Sequence, residues 1–296
     1  MSKKHYEWAP GEKPPPIRQH SIAKHDILST YLVDYFQTLI ASPRRDQFRL
    51  THVDGFAGGG VYRHASTGAE ILGSPFVMMN AVEEASFLVN QNRKKPVNFD
   101  VDYFFIEADA GAFQVLQHEL KARGHTSQLG GSVVVRKARF EAEAEAIVAH
   151  ILAKSPKAAR AIFLLDQYGY TQVPTPLIRS LFRRLPGAEV ILTFAVDSFL
   201  NFASSGGRTH KTLERMALPD VFRERSLEEI KASEKDWRLF IQSAMYQDLV
   251  AACGARFYTT FFIRSSQGHG DYWLLHLSQR PRARDVMTRI HWMKNN

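Results

Sequence analysis

Residues 51–62 (THVDGFAGGGVY) form the segment of the chain best suited to binding a ligand. A predicted strand ends at Asp54, and the loop after it contains four glycines: Gly55, Gly58, Gly59 and Gly60. Glycines at such a turn let the backbone pass close to a bound molecule. A dinucleotide-binding fingerprint is excluded, because its third glycine is replaced by Arg63 and the next helix is predicted only near Pro75. A phosphate-binding loop is excluded as well, since no Gly-Lys-Ser or Gly-Lys-Thr follows.

Acidic residues stand at the carboxyl ends of four predicted strands: Asp54, Glu107, Asp166 and Asp197. Ligands of open α/β sheets bind outside this edge, so we expect these side chains to share one site. A carboxylate such as Glu107 can accept hydrogen bonds from both ribose hydroxyls of an adenosine.

The spacing Asp54-x-Phe56-x-Gly58-x-Gly60 resembles motif I of S-adenosylmethionine-dependent methyltransferases. The closest form is the D-P-F-x-G-x-G motif of DNA and RNA amino-methyltransferases, in which the loop cradles the amino-acid end of the cofactor. The resemblance implies S-adenosylmethionine as the cofactor. The residues expected to bind it are Asp54, Gly55, Phe56, Ala57, Gly58, Gly60 and Glu107.

A second motif, LLDQYGY at 164–170, stands where amino-methyltransferases have Asp/Asn-Pro-Pro-Tyr/Phe. In those enzymes the acid and a backbone carbonyl bind the target amine, and the aromatic ring stacks on a flipped base. The resemblance implies a catalytic set of Asp166, Gln167, Tyr168 and Gly169. Gln167 replaces the proline of the motif, so the rigid proline turn is absent.

Basic residues cluster after the fourth and fifth predicted strands. We predict that five of them contact nucleic-acid phosphates: Arg179, Arg183, Arg184, Arg208 and Lys211. The alternative is a solvated charged face, balanced by glutamates such as Glu224 and Glu228. His269 and His276 lack the spacing of metal ligands, and we expect no metal site.

The elements that position these residues alternate along the chain. Continuous apolar runs predict strands at 49–54, 101–107, 132–138, 160–166 and 188–196. Amphipathic runs predict helices at 75–92, 110–124, 140–154 and 175–185. This order is typical of a parallel sheet covered by helices on both faces.

The remaining segments complete the predicted fold. We predict that residues 1–20 form an arm or lid. A first helix is predicted to begin with Ser21 as its N-cap. Two helical stretches fill an insertion at about 200–252, and strands at 255–264 and 271–278 form an antiparallel hairpin before a helix at 282–293. We predict one Rossmann-like α/β domain over residues 21–296, with a methyltransferase-type sheet of five parallel strands plus the hairpin.

A narrower resemblance covers the chain from about residue 20 onward. The segments SIAKHDILSTYL, HVDGFAGGGVY, GSPFV, FFIEAD, FLLDQYGY and RARDVMTRIHWM are similar, in this order, to the three-Cys-motif partner proteins of bacteria. The family is named for a neighbouring radical-SAM-like protein with three cluster-binding cysteines. The resemblance implies that protein as a partner, and a role in phage defence or nucleic-acid modification.

Composition and charge set the broad class. The chain has 296 residues, 45% of them hydrophobic and 23% charged, which is typical of a globular protein. A net charge of +8 favours an anionic partner such as nucleic acid. The single cysteine, Cys253, excludes an internal disulfide. No apolar run reaches the roughly 18 residues of a membrane span, and the N-terminus lacks a signal-peptide core, so we expect a cytoplasmic protein.

Three functions are compatible with these patterns. The first is a methyltransferase that acts on an exocyclic amine of a nucleic-acid base, with Asp166 orienting the amine. The second is an inactive methyltransferase-fold module that binds nucleic acid, a nucleotide or the radical-SAM-like partner. The third is a nuclease, which ranks last because its metal requires clustered carboxylates.

Overall fold

The central sheet is the element that positions the predicted site. The computed structural model describes residues 6–167, 171–196, 199, 207–218, 221–263 and 272–294. The strands are β1 (Pro16–Ile17), β2 (Gln47–Asp54), β3 (Val61–His64), β4 (Glu70–Leu72), β5 (Asn98–Ile106), β6 (Val133–Arg136), β7 (Arg160–Leu165), β8 (Gly187–Phe194), β9 (Phe257–Ile263) and β10 (Tyr272–Ser278).

Helices cover both faces of this sheet. They are α1 (Gln19–Leu39), α2 (Ser74–Asn90), α3 (Ala110–Ala122), α4 (Phe140–Lys154), α5 (Thr175–Arg184), α6 (Gly207–Arg215), α7 (Leu227–Ser233), α8 (Trp237–Cys253) and α9 (Pro281–Lys294). Within the described parts of the chain, no helix is long and apolar enough to cross a membrane.

The strand order of the main sheet is β6-β5-β2-β7-β8-β10-β9. The first five strands of this order run parallel, and β10 pairs antiparallel with both β8 and β9. The chain leaves β2 first toward β5 and later returns to the other side of β2 at β7. This reversal is the topological switch point, where α/β sheets bind ligands. The predicted fold class, a Rossmann-like methyltransferase-type sheet with a terminal hairpin, is confirmed.

Alternation along the parallel strands explains why both faces of the sheet are covered. In β7, Phe163 and Leu165 enter a core with α4, α5 and α8, whereas Ile162 and Leu164 enter a second core with α1, α2 and α9. Side chains of a strand point to opposite faces with a period of two, so a run of apolar residues buries both faces.

A second, three-stranded sheet was not expected from the sequence. It has the order β1-β3-β4 and pairs Pro16 and Ile17 of the N-terminal segment with Arg63 and His64. Gly68, in the turn between β3 and β4, has a φ of +70°. Part of the predicted arm is therefore held against the loop that follows β2.

Two boundaries differ from the prediction. Helix α1 begins at Gln19, and Ser21 is not its cap, because the Ser21 hydroxyl lies 3.0 Å from that of Tyr6. The described residues of the insertion form three helices, α6, α7 and α8, where the sequence predicted two stretches. Helix α7 begins with a capping box formed by Ser226 and Glu229, a local signal that marks its start.

Candidate active site

Three adjacent strands bring the predicted acidic residues together at the switch point. Asp54 is the last residue of β2, Glu107 follows β5, and Asp166 follows β7. Glu107 and Asp166 line a common cavity, while Asp54 is fully buried beside it. Asp197, the fourth predicted acid, lies outside the described residues.

Backbone hydrogen bonds fix the glycine-rich loop to both neighbouring strands. The N–H of Gly55 donates to the carbonyl of Leu164 at 2.9 Å, and that of Ala57 donates to the carbonyl of Ile106 at 3.0 Å. Phe56 lies between them and lines the cavity. Because these bonds reach β7 on one side and β5 on the other, the loop is a rigid floor.

Two glycines of the loop need the left-handed region of backbone space. Gly58 has a φ of +60° and Gly60 a φ of +76°. A Cβ at Gly60 would press against Phe76 and Leu116, so this position also has no room for a side chain. The loop therefore depends on glycine for its conformation as well as for access.

Asp54 is an unusual carboxyl group, because it is buried and only partly hydrogen-bonded. Its Oδ1 accepts the N–H of Phe56 at 3.0 Å, and its Oδ2 has no partner among the described residues. Burial raises the pKa of Asp54 to about 7, with smaller contributions from the carboxylates of Asp166 and Glu107 and against the opposing effects of Ser74 and the Phe56 N–H. A cation bound at the loop would relieve this cost.

Glu107 connects the loop to the start of α3. Its Oε2 accepts the N–H of Gly58 at 2.9 Å, and its Oε1 accepts the N–H of Asp109 at 2.6 Å. Asp109 in turn caps α3 by accepting the N–H of Ala112 at 3.0 Å. The predicted ribose-binding carboxylate thus also holds the loop in place, and it lines the cavity.

Asp166 already binds an amine nitrogen, which comes from the protein itself. Lys24 Nζ lies 2.5 Å from Oδ1 and 2.6 Å from Oδ2 of Asp166. The Lys24 side chain is 11% exposed and that of Asp166 is 29% exposed. Burial raises the pKa of Asp166, but the Lys24 ammonium outweighs burial and the net pKa is lowered.

Lys24 is a site residue that the motif analysis missed. It lies on the stripe of α1 that faces the protein, three residues after buried Ser21 and four before buried Leu28. A lysine on an otherwise buried stripe was the available signal. Its neighbour His25 also lines the cavity, and burial lowers the pKa of His25 to about 4.

Gln167 replaces the proline turn with side-chain hydrogen bonds. It is 3% exposed, and its Oε1 accepts the N–H groups of Gln172 at 2.9 Å and Val173 at 3.0 Å. The segment after β7 is therefore held by an amide instead of a proline ring. The predicted catalytic partners Tyr168 and Gly169 lie outside the described residues.

The N-terminal arm covers the glycine loop. Trp8 donates from Nε1 to the carbonyl of Val61 at 2.8 Å, and a Cβ at Gly58 or Gly59 would collide with its ring. Tyr6 and Trp8 pack edge-on against Tyr62, with ring centroids 5.0 and 5.2 Å away. With the arm in this position the cavity measures about 90 Å³.

The predicted nucleic-acid residues fall into different environments. Arg179 donates from Nε and an Nη to the carbonyls of Ala252 and Ala251, each at 2.7 Å, and so closes the end of α8. Arg184 forms an ion pair with Glu145, in which its Nη1 lies 2.7 Å from Oε1 and 2.6 Å from Oε2 of the carboxylate.

Two of the other predicted contacts remain open to solvent. Arg183 and Lys211 are both exposed, which leaves them available to a partner. The side chain of Arg208 lies outside the description, although its backbone is part of α6. Nucleic-acid binding by these residues stays a prediction.

The described side chains include no group of three or more histidine, cysteine or acidic residues arranged to hold a metal ion. The His276 imidazole is instead part of a buried polar cluster. Its Nε2 lies 2.9 Å from Glu189 Oε2, and the Tyr31 hydroxyl donates to the same oxygen. Cys253 is buried, and burial raises the pKa of its thiol to about 12.

Comparison with known proteins adds only distant similarities. No protein-family model matches the chain, and no curated protein matches it. Among solved structures, it is similar to Trm1 from Pyrococcus horikoshii with S-adenosyl-L-methionine, at 10% identity and a TM-score of 0.38, covering 94% of this chain and 61% of that one.

Two further structures show the same level of similarity. The Escherichia coli protein yhhF has 11% identity and a TM-score of 0.37, covering 91% of this chain and 92% of that chain. A 16S rRNA (adenine(1408)-N(1))-methyltransferase from Catenulisporales acidiphilia has 12% identity and a TM-score of 0.33, covering 84% and 93%. Scores this low carry no functional argument, so the fold assignment rests on the strand order and the function on the site.

Proposed function

We propose that the chain is an S-adenosylmethionine-dependent methyltransferase whose acceptor is an exocyclic amine of a nucleic-acid base. The observation that carries the proposal is the position of the Asp166 carboxylate, which holds the Lys24 ammonium at 2.5 and 2.6 Å beside the glycine loop. A carboxylate placed to bind one amine at the switch point is suited to orient another.

The residues of the loop fit the cofactor in charge. S-adenosylmethionine supplies an electrophilic methyl group on a positively charged sulfur. Asp54 and Glu107 place negative charge around the loop, and Asp54 Oδ2 lacks a partner among the described residues. Gly58 has no side chain, so once Trp8 moves away the backbone of the loop would be open to the cofactor.

The small volume of the cavity means that parts of the protein must move before the cofactor can bind. Small-molecule pockets usually measure about 300–1,000 Å³, whereas the cavity measures about 90 Å³ with the arm in place. Tyr6 and Trp8 line it and cover the glycines. The arm must therefore move away before the cofactor binds, and Lys24 must release Asp166 before a substrate amine takes its place.

Within this proposal each residue has a defined task. Asp166 accepts hydrogen bonds from the acceptor amine and thereby directs the nitrogen lone pair toward the loop. Gln167 keeps the segment after Asp166 in place. Arg183 and Lys211 contact phosphates of the nucleic acid.

A second candidate function is a binding module without methyl transfer. Two observations favour it: Trp8 covers the loop, and Lys24 occupies Asp166 in a partly buried ion pair. In this case the partner would be a nucleic acid or the radical-SAM-like three-Cys protein, in a phage-defence or nucleic-acid-modifying system.

Calorimetric titration with S-adenosylmethionine tests the cofactor site. We expect micromolar binding by the wild type and at least a hundredfold weaker binding by Gly58→Val. Gly68→Val is the matched control, because Gly68 has a similar φ of +70° with nothing within 4 Å of its Cβ position. Equal binding of S-adenosylmethionine by Gly58→Val and the wild type would refute the assignment of the glycine loop as the cofactor-binding site.

Transfer of a labelled methyl group to RNA and DNA separates the two candidates. An active wild type whose transfer is lost in Asp166→Asn, with cofactor affinity retained, supports the methyltransferase. Cofactor binding without transfer to either nucleic acid supports the binding module.

A further inference from the structure

A larger cavity lies at the opposite, amino-terminal edge of the sheet. It measures about 480 Å³ and is bounded by the first residues of β7 and β8, Arg160 and Gly187, and by Pro281 at the start of α9. Arg160 is six residues before Asp166, so at about 3.3 Å per residue the two sites are roughly 20 Å apart. The proposed methyltransferase does not use this cavity.

Positive charge dominates the lining of the cavity. Four cationic side chains face it, namely Lys157, Arg160, Arg280 and Arg282. Across the described ranges, none of them forms an ion pair with a carboxylate. The carboxylate in the lining, Glu189, is already bonded to the Tyr31 hydroxyl and to His276. The cavity therefore has a surplus of positive charge.

The environment of Arg160 shows that the surplus of positive charge is unfavourable. Its guanidinium is half-buried and stacks over the Phe48 ring at 5.2 Å from the centroid. Burial lowers the pKa of Arg160, Tyr35 opposes this effect in part, and the nearby charges of Arg45 and Arg280 add smaller lowering effects. An anion in the cavity would offset both the lost hydration and the repulsion.

Tyr35 supplies an independent sign of a ligand. It lines the cavity and is only 2% exposed, yet its hydroxyl makes no hydrogen bond to any residue within the description. Buried tyrosine hydroxyls usually find a partner. The Tyr35 hydroxyl is not among the unpartnered side-chain atoms that are sealed from solvent, so it opens onto the cavity. A ligand oxygen in the cavity would provide that partner.

The N-terminus of α9 adds a positive electrostatic potential at the cavity, which favours an anion. This 14-residue helix begins at Pro281, and its first turn contains no acidic residue. The positive end of its dipole therefore faces the cavity without a competing carboxylate from the helix itself. Leu39 and Val286 give the same cavity an apolar wall, which suits an organic group attached to the anion.

We propose that this cavity is a second binding site, for a phosphorylated small molecule of about mononucleotide size. Its phosphate accepts hydrogen bonds from Arg160, Arg280 and the Tyr35 hydroxyl, and its organic part packs on the apolar wall. Arginine matches phosphate with paired donors, and a volume of about 480 Å³ lies within the usual range for such ligands.

Calorimetry with AMP and with inorganic pyrophosphate at low salt tests the site in the full chain. We expect AMP to bind the wild type with a Kd below about 1 mM, about tenfold more weakly to Tyr35→Phe, and more weakly still to the double variant Arg280→Ala/Arg282→Ala. Tyr35→Phe removes an unpartnered hydroxyl, so its thermal stability should not fall. Tighter binding of pyrophosphate than of AMP would overturn the proposed organic ligand in favour of an inorganic polyphosphate.

A control variant makes the result specific. Lys121→Ala removes an exposed positive charge on α3 and should leave AMP binding unchanged. The proposal is overturned if neither probe binds below about 1 mM, or if Tyr35→Phe binds like the wild type. Tyr35-dependent binding of a single-stranded oligonucleotide without AMP binding would also overturn it, in favour of a nucleic-acid backbone.

Discussion

The two edges of the sheet differ in how they handle charge. At the carboxyl edge, Lys24 neutralises Asp166, Glu107 accepts two backbone N–H groups, and the arm covers the loop. At the amino edge, cations such as Arg160 and Arg280 line a larger cavity without carboxylate partners among the residues described. Apart from the buried Asp54, the first edge has compensated its charges internally, whereas the cations of the second edge have no carboxylate partner among the described residues.

This difference bears on how sites are recognised. The carboxyl edge carries the sequence motifs, but its groups are already bonded to one another, so a ligand must displace Trp8 and Lys24. The amino edge carries no motif, but its groups have unmet bonding capacity. The sequence motifs therefore predict a binding site at the carboxyl edge, whereas the uncompensated positive charge indicates one at the amino edge.

The largest effect we expect concerns Asp54 and pH. Burial raises its pKa from an ordinary 3.8 to about 7, so the folded protein binds a proton more tightly than the unfolded chain. The associated stability is present below about pH 4 and is lost as pH rises to about 7. Asp54→Asn should remove this loss, so its advantage over the wild type grows by up to about 4 kcal/mol across this window.

Urea unfolding of both proteins between pH 4 and pH 8 measures this advantage. Arg280→Met is the control from the amino edge, because a guanidinium stays charged throughout this range. A constant difference between Asp54→Asn and the wild type would show that Asp54 is ionised normally, contrary to its buried position.

The next effect compares single charges from the two edges. Lys24→Met leaves the Asp166 carboxylate partly buried and unpaired, and should destabilise the protein by about 3 kcal/mol. Arg280→Met removes a repulsion on Arg160 and should leave the free energy of unfolding unchanged or slightly higher.

Chemical denaturation of both variants checks this contrast. The double variant Lys24→Met/Asp166→Asn should recover part of the loss, because no buried charge is left without a partner. Equal destabilisation by Lys24→Met and Arg280→Met would remove the distinction between the two edges.

The smallest effect concerns the arm. Trp8→Ala should raise the affinity for S-adenosylmethionine about tenfold, because the ring no longer has to leave Gly58 and Gly59. AMP binding at the amino edge should not change. Weaker cofactor binding in Trp8→Ala would mean that the arm closes over the bound cofactor and contributes to the site.

The sequence predicted the elements around the site because their signals are local. Apolar runs such as 160–166 mark strands buried on both faces, and helix α2 begins at Ser74 with Pro75 in its first turn, next to the predicted start. The small sheet of β1, β3 and β4 was missed because its strands are two to four residues long and leave no periodic pattern.

The assignment of roles within the site was only partly accessible to sequence reasoning. The positions of Asp54, Glu107 and Asp166 followed from strand ends, since parallel strands bring their carboxyl ends to one edge. The bond between Lys24 and Asp166 joins residues 142 positions apart, and no local pattern encodes such a distance. For Arg179 the sequence predicted a phosphate contact, but the structure shows that its side chain hydrogen-bonds the last carbonyls of α8 instead.

The sequence by itself determined the chain order of the main-sheet strands and of the helices between them, the glycine loop after Asp54 and the acids at the strand ends, because periodicity and turn chemistry act over a few residues. Only the tertiary structure decided which charges are compensated. Partners such as Lys24 and Asp166, or the unpaired Arg160 and buried Tyr35, are set by packing between distant segments. Whether a buried charge is stable or needs a ligand depends on its surroundings, which no single residue specifies.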